Sequence, residues 1–169
     1  MAKFKLELED LNNSINCAFG LISQKSALNL CYSLNLELDG IKLIRLKEDL
    51  YSDHKGLRYL YRHWGFYDAL REHEIKFVEN RSYKSIGKQA SQGALFEDEL
   101  ILEKNWLPNK EGYNFFLWFE GNIEVVKFTL RWEERLAACS GIQKANRLSD
   151  KSLERLNKSI KYYHDRKQS

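Results

Sequence analysis

Four histidines, His54, His63, His73 and His164, are the side chains in this sequence best suited to proton transfer near neutral pH. None stands at a spacing that supplies a partner. The stretch "REHEIKF" at residues 71–77 carries the first half of a zinc-binding helix pattern, yet the position four after His73 is Phe77, so the pair of ligands is missing. Glycine-rich phosphate loops and the nucleophile elbow are absent from the sequence, and the acids Asp53 and Asp68 stand alone. Cys17, Cys31 and Cys139 are widely spaced in apolar contexts, which suits buried free thiols better than a metal site. The expectation is a protein that is not an enzyme and has no catalytic residues, no metal and no cofactor.

Binding chemistry is better represented. The segment "LPNKEGYNFFLWFEG", Leu107 to Gly121, holds the single proline of the chain and then five aromatic residues within seven. Ring content predicts a strand from Tyr113 to Glu120. Alternation puts Tyr113, Phe115, Leu117 and Phe119 on one side, toward helices, and Phe116 and Trp118 on the other. Trp64 and Phe66, interleaved with Arg62, are placed with the second set. Exposed, these residues would form a stacking platform for single-stranded nucleic acid, with arginines on phosphates. Otherwise residues 82–105 or the C-terminal tail cover them as a second layer of the same domain.

Charge points the same way. The chain has a net charge of +3, but residues 142–169 carry eight Lys or Arg against three acids. From residue 158 onward, Lys158, Lys161, Arg166 and Lys167 form a basic tail expected to fray from the fold and to contact phosphate or a partner.

These groups need elements to hold them. "INCAFGLI" reads as a strand, followed by a helix over residues 24–35 capped by Ser23. "GIKLIRLKED" alternates as a strand, and "LRYLYRHWGFYDAL" with "EIKFVENRS" reads as an antiparallel pair. Residues 82–105 read as a loop. A helix follows over "NIEVVKFTLRWEERLAACSG", with Asn122 as N-cap and Gly141 beyond its end. Its stripe Val125, Phe128, Trp132, Leu136 and Cys139 faces the sheet. A second stripe, Ile123, Val126, Leu130 and Ala137, needs cover from this chain, a second copy or a partner. A strand over 142–149 and the basic helical tail complete the order.

Length and composition, 169 residues with 43% hydrophobic and 30% charged, describe one globular domain. The predicted fold class is α+β: an antiparallel or mixed sheet with helices mainly on one face, arranged βαβ, meander, βαβ, with a domain over 1–157 and a tail over 158–169. No apolar run approaches the ~20 residues of a membrane span. The start "MAKFKLELEDLNN" has no signal-peptide core, so a cytoplasmic location is expected, without a membrane partner.

The segment from Leu107 also resembles the signature of the IPExxxVDY family, small cytoplasmic proteins of Bacteroidota. Leu107 and Pro108 occupy the Ile-Pro places, Asn109 the glutamate, and Tyr113, Asn114 and Phe115 the Val-Asp-Tyr, with Phe116, Leu117 and Gly121 continuing the strand. Both signature carboxylates are asparagine here, so any chemistry that needed them is lost. "FGLISQKSALNLCYSLN", "FVENRS" and "IQKANRLSDKSLERLNKSI" resemble further parts of the family, which brings no established activity. The functional expectation is a binding module for RNA or a ribonucleoprotein such as the ribosome. The alternatives are a protein-interaction adaptor or homodimer, and, third, a cryptic enzyme.

Overall fold

The computed structural model describes residues 15–69, 73–87, 103–108, 110–121 and 125–167. In chain order they form β1 (Ile15–Ser23), α1 (Ala27–Glu37), β2 (Ile44–Arg45), β3 (Leu50–His54), β4 (Leu57–Tyr61), β5 (His63–Asp68), β6 (His73–Glu79), β7 (Lys84–Ile86), β8 (Phe115–Gly121), α2 (Val125–Ala138), β9 (Ile142–Arg147) and α3 (Asp150–Lys167). Six strands make one sheet in the order β2-β5-β6-β8-β1-β9, and β3, β4 and β7 make a second. Every pairing is antiparallel. The result is a single α+β domain.

Local chemistry sets most of these boundaries. Ser26 caps α1, its hydroxyl accepting from the Asn29 amide, while Ser23 stays in β1; the helix therefore starts three residues later than the sequence predicts. Lys55 and Gly56 both take positive φ, which closes the β3–β4 hairpin in two residues. The aromatic run 57–68 is not one strand. It breaks at exposed Arg62, so that β4 joins the small sheet and β5 the large one. The alternating stretch 40–49 contributes only the two residues of β2.

The centre of the large sheet is covered on both faces. On one face Phe19, Leu21, Phe77, Phe115, Leu117 and Phe119 pack under Leu30 and Leu34 of α1 and Trp132 and Leu136 of α2. On the other, Val78, Phe116 and Trp118 pack under Leu156, Ile160 and Tyr163 of α3 and under Tyr59 and Tyr61 of the small sheet. A bulge between Ile15 and Cys17 lets β1 serve both, sending Ile15 to the α3 side and Cys17 to the other. Two helices thus share one face, and the third layer combines α3 with the small sheet.

That third layer corrects the expectation of a fraying tail. Helix α3 runs unbroken through residue 158, and the partly buried Leu153 and the buried Leu156, Ile160 and Tyr163 recur at steps of three and four, the spacing of a docked stripe. Each fully buried side chain of this size contributes about 1.5–3 kcal/mol. Arg166 and Lys167 lie in the last turn, with side chains outside the described residues.

Four asparagines fasten the layers in one manner. In each, the side-chain amide bonds the N–H and C=O of a single distant residue, standing in for a neighbouring strand. Asn35 does so to Leu43, Asn80 to Leu107, Asn114 to Ser23 and Asn157 to Ile15. Asn157 thereby ties α3 to the start of β1. Among the described residues, no helix is long and apolar enough to cross a membrane.

Candidate functional site

Residues 105–108 and 110–114 are held against the sheet by buried polar groups. Asn80, at the end of β6, accepts from Leu107 N–H at 2.9 Å and donates to the Tyr113 carbonyl at 3.2 Å. Its own backbone pairs with Trp106 and Asn114. The Tyr113 ring lies flat on Gly20 of β1, where any added Cβ would stand 2.4 Å from it. Only glycine admits that approach.

The same segment and the start of α3 enclose a cavity of about 260 Å³. Leu107, Pro108, Tyr113, Phe116 and Leu148 form its apolar wall, and Lys110, Lys151 and Arg155 its basic rim. Among the described residues these three cations make no hydrogen bond or ion pair. Glu111, the one acid in the lining, is bonded to the Tyr113 hydroxyl; burial first and this carboxylate second push the phenol above its ordinary pKa. Ser149 caps α3, its hydroxyl accepting from the Ser152 amide at 3.4 Å and donating to the Ser152 hydroxyl at 3.1 Å. From the rim, Lys151, Arg155, Lys158 and Tyr162 recur at steps of three and four along one exposed flank of α3. Lys158 is paired with Glu154 at 2.6 Å. Such an arrangement can receive an anionic group with an apolar or ring body and lead its continuation along the helix.

The residues expected to form a stacking platform do not come together. Phe116 is 2% and Trp118 1% exposed, both under α3, and Trp118 donates its indole N–H to Glu120 at 2.7 Å. Trp64 pairs with Phe77, and Phe66 with Ile75, so both point to the opposite face, under α1 and α2. Arg62 is exposed, but its guanidinium stacks on Tyr83 at 4.4 Å. The sheet offers no ring to solvent at any of these positions except the partly exposed Phe66. Lys158 and Lys161 are exposed as expected. On the second stripe of α2, Ala137 is exposed, Ile123 lies outside the described residues, and so do the side chains of Val126 and Leu130.

Histidine chemistry fares no better at the expected positions. His54 and His164 are solvated. His63 is buried; burial above all, then Lys76 and Arg45, pull its pKa down to about 4, and its Nδ1 has no partner among the described residues. His73 faces Asp68 across the β5–β6 register, both buried, beside a smaller cavity of about 120 Å³ flanked by Arg131 and Arg135. No group of three metal-ligating side chains is assembled among the described residues. The three cysteines are buried and outside any disulfide, and burial raises Cys31 and Cys139 to about 11.

Sequence reasoning missed the pocket and Lys110, and did not single out Lys151, Arg155 or Tyr162 as site residues. The only signal was the rigid Pro108 entry followed by a turn at Gly112, because the opposite wall comes from residues 148–155. It also treated Asn114 as a lost carboxylate, whereas the structure gives its amide two bonds to Ser23. Asn114→Asp is therefore expected to destabilise the fold by about 1–3 kcal/mol at neutral pH, since a carboxylate accepts from Ser23 N–H but cannot donate to its buried carbonyl. Urea melts of the two proteins measure this; equal midpoints would contradict it.

The chain matches no family model, no curated protein and no solved structure, so the fold and these two cavities stand on their own geometry.

Proposed function

We propose that the chain is a cytoplasmic, non-enzymatic binding module that engages RNA, alone or within a ribonucleoprotein such as the ribosome, through the basic flank of α3 and its pocket rather than through a sheet platform. The observation that carries this reading is the row Lys151, Arg155 and Lys158, with Lys110 beside it, displayed on a helix that the core fixes in place. Cations on a rigid support meet phosphates at a smaller ordering cost than cations on a free tail. Tyr162, 42% exposed, supplies the one large ring on that flank for a base to stack upon. The likeness to the IPExxxVDY family belongs to the same proposal, and three of its signature positions, Leu107, Pro108 and Tyr113, lie in the pocket wall.

The test is binding of single-stranded RNA between 50 and 200 mM salt, where phosphate contacts lose affinity steeply. Replacing Lys151, Arg155 and Lys158 by glutamine is expected to shallow the slope of log affinity against log salt by about 2, at roughly 0.7 per contact. RNA binding that is absent, or insensitive to these substitutions, would sink the reading.

A second reading has its own observation. Leu28, Tyr32 and Leu36 are 69%, 68% and 69% exposed and lie four residues apart along α1, a short apolar row suited to a protein partner or a second copy. Association that is independent of salt and lost in Tyr32→Asp would favour it.

A further inference from the structure

We propose that the cavity between residues 107–116 and the start of α3 receives a phosphomonoester carried on a ring, the chemistry of a 5′-phosphorylated nucleotide. This inference rests on the RNA reading and narrows it to one place and one end of the strand.

Size argues first. About 260 Å³ falls just under the ~300–1,000 Å³ of small-molecule pockets, which leaves room for one nucleotide-sized group and none for a strand running through. A strand using this cavity must insert a single unit, and its terminus does so without distortion of the backbone on both sides.

The lining argues second. Pro108 is the exposed apolar face that a flat ring can meet, over a floor closed by the buried side chains of Leu107, Tyr113, Phe116 and Leu148, while Lys110, Lys151 and Arg155 stand at the rim. Three cations against the one carboxylate of Glu111 leave two positive charges. That matches a terminal phosphomonoester, roughly −1.5 to −2 near neutral pH, better than the single charge of an internal diester. Pairing an apolar wall with three rim cations that have no ion-pair partner among the described residues is what distinguishes this place from the rest of the basic flank, where Lys158 already has Glu154.

Direction argues third. Beyond Arg155 the same flank continues to Lys158 and Tyr162, so the nucleotides after a 5′ end seated in the cavity find a cation and then an exposed ring. The same chemistry is offered by a free mononucleotide, and the experiment separates the two sources.

The full chain is titrated with 3′-labelled RNA of about ten nucleotides, bearing either a 5′-phosphate or a 5′-hydroxyl, competed with AMP, UMP or inorganic phosphate, and each of these small probes is also titrated directly by calorimetry. The expected result is about tenfold tighter binding of the 5′-phosphorylated strand. That preference should vanish in Lys151→Gln/Arg155→Gln, and also in Ser152→Phe, which fills the cavity without changing charge; far-UV spectra and melts check that each variant is folded. Equal binding of the two strands by the native chain overturns the inference and leaves the RNA reading standing. If neither strand binds but AMP or UMP does, and Ser152→Phe abolishes it, the cavity assignment holds with free nucleotide as its source while the RNA reading falls. Binding of none of these probes removes both, and inorganic phosphate competing as well as AMP overturns the ring-bearing ligand.

Discussion

Deletion of residues 158–169 is expected to leave a chain that does not hold its native fold at ambient temperature. The deletion removes Ile160 and Tyr163, both buried against Phe116, Trp118 and the small sheet, and with Tyr163 the edge contact to Tyr51 at 5.3 Å. Truncating a buried isoleucine costs about 2–5 kcal/mol and a buried aromatic about 3–5. Their sum is comparable with the 5–15 kcal/mol that holds a typical domain together. The remaining stub of α3 would also be short for a helix whose stability comes from packing. Urea melts together with binding of a hydrophobic dye measure the outcome, and a truncated protein that melts within a few degrees of the full chain would contradict the docked-helix account.

Trp118→Ala is expected to be the most damaging single substitution in β8, at about 3–5 kcal/mol from the cavity alone. Its ring is almost wholly buried against Trp106 at 5.7 Å, and its N–H is the hydrogen bond that pulls the Glu120 pKa down while burial pushes it up more strongly. Without that donor the folded-state pKa of Glu120 rises further. A carboxyl whose folded pKa is raised weakens the fold as pH climbs through that value, so the cost of Trp118→Ala should be smallest in acid and grow above the ordinary carboxylate range. Phe115→Ala and Phe116→Ala, on opposite faces, are expected to cost similar amounts to each other because neither face is wet. A melt in which Phe116→Ala or Trp118→Ala is nearly neutral would mean that α3 leaves the sheet.

Much of the architecture was legible. The apolar run of β1, the helix after it, the aromatic strand β8, helix α2 ended by Gly141 at φ +88° and strand β9 all follow from periodicity and punctuation. What alternation cannot tell is how many layers a sheet has. It assigned Phe115 and Phe116 to opposite faces rightly, yet gave no means of knowing that the second face is also covered. The cover was nevertheless written in the chain: Leu153, Leu156, Ile160 and Tyr163 keep helical spacing, but seven charged side chains from Asp150 to Asp165 outweighed them in composition. Trp64 went to the wrong face because the strand break at Arg62 resets the parity, and nothing in "YRHWG" announces a change of sheet. Tyr113 likewise precedes the strand proper and turns to the α3 side, onto Gly20. The pocket was illegible for a simpler reason, since its two walls are about forty residues apart in the chain.

The four asparagine clamps make this fold sensitive to time. Asparagine is among the thermolabile residues, and slow hydrolysis of its amide leaves an acid that has kept the acceptor and lost the donor. While the chain is folded, both ends of each clamping amide are engaged and Asn80 is sealed from water, so the native state shelters its own weak points. Each excursion that frees one of them offers a chance of conversion, and every conversion makes the next excursion more frequent. Chemical ageing of this protein would then run as a one-way ratchet, slow at first and accelerating, with Asn35, Asn114 and Asn157, only partly buried in their clamps, as its first teeth.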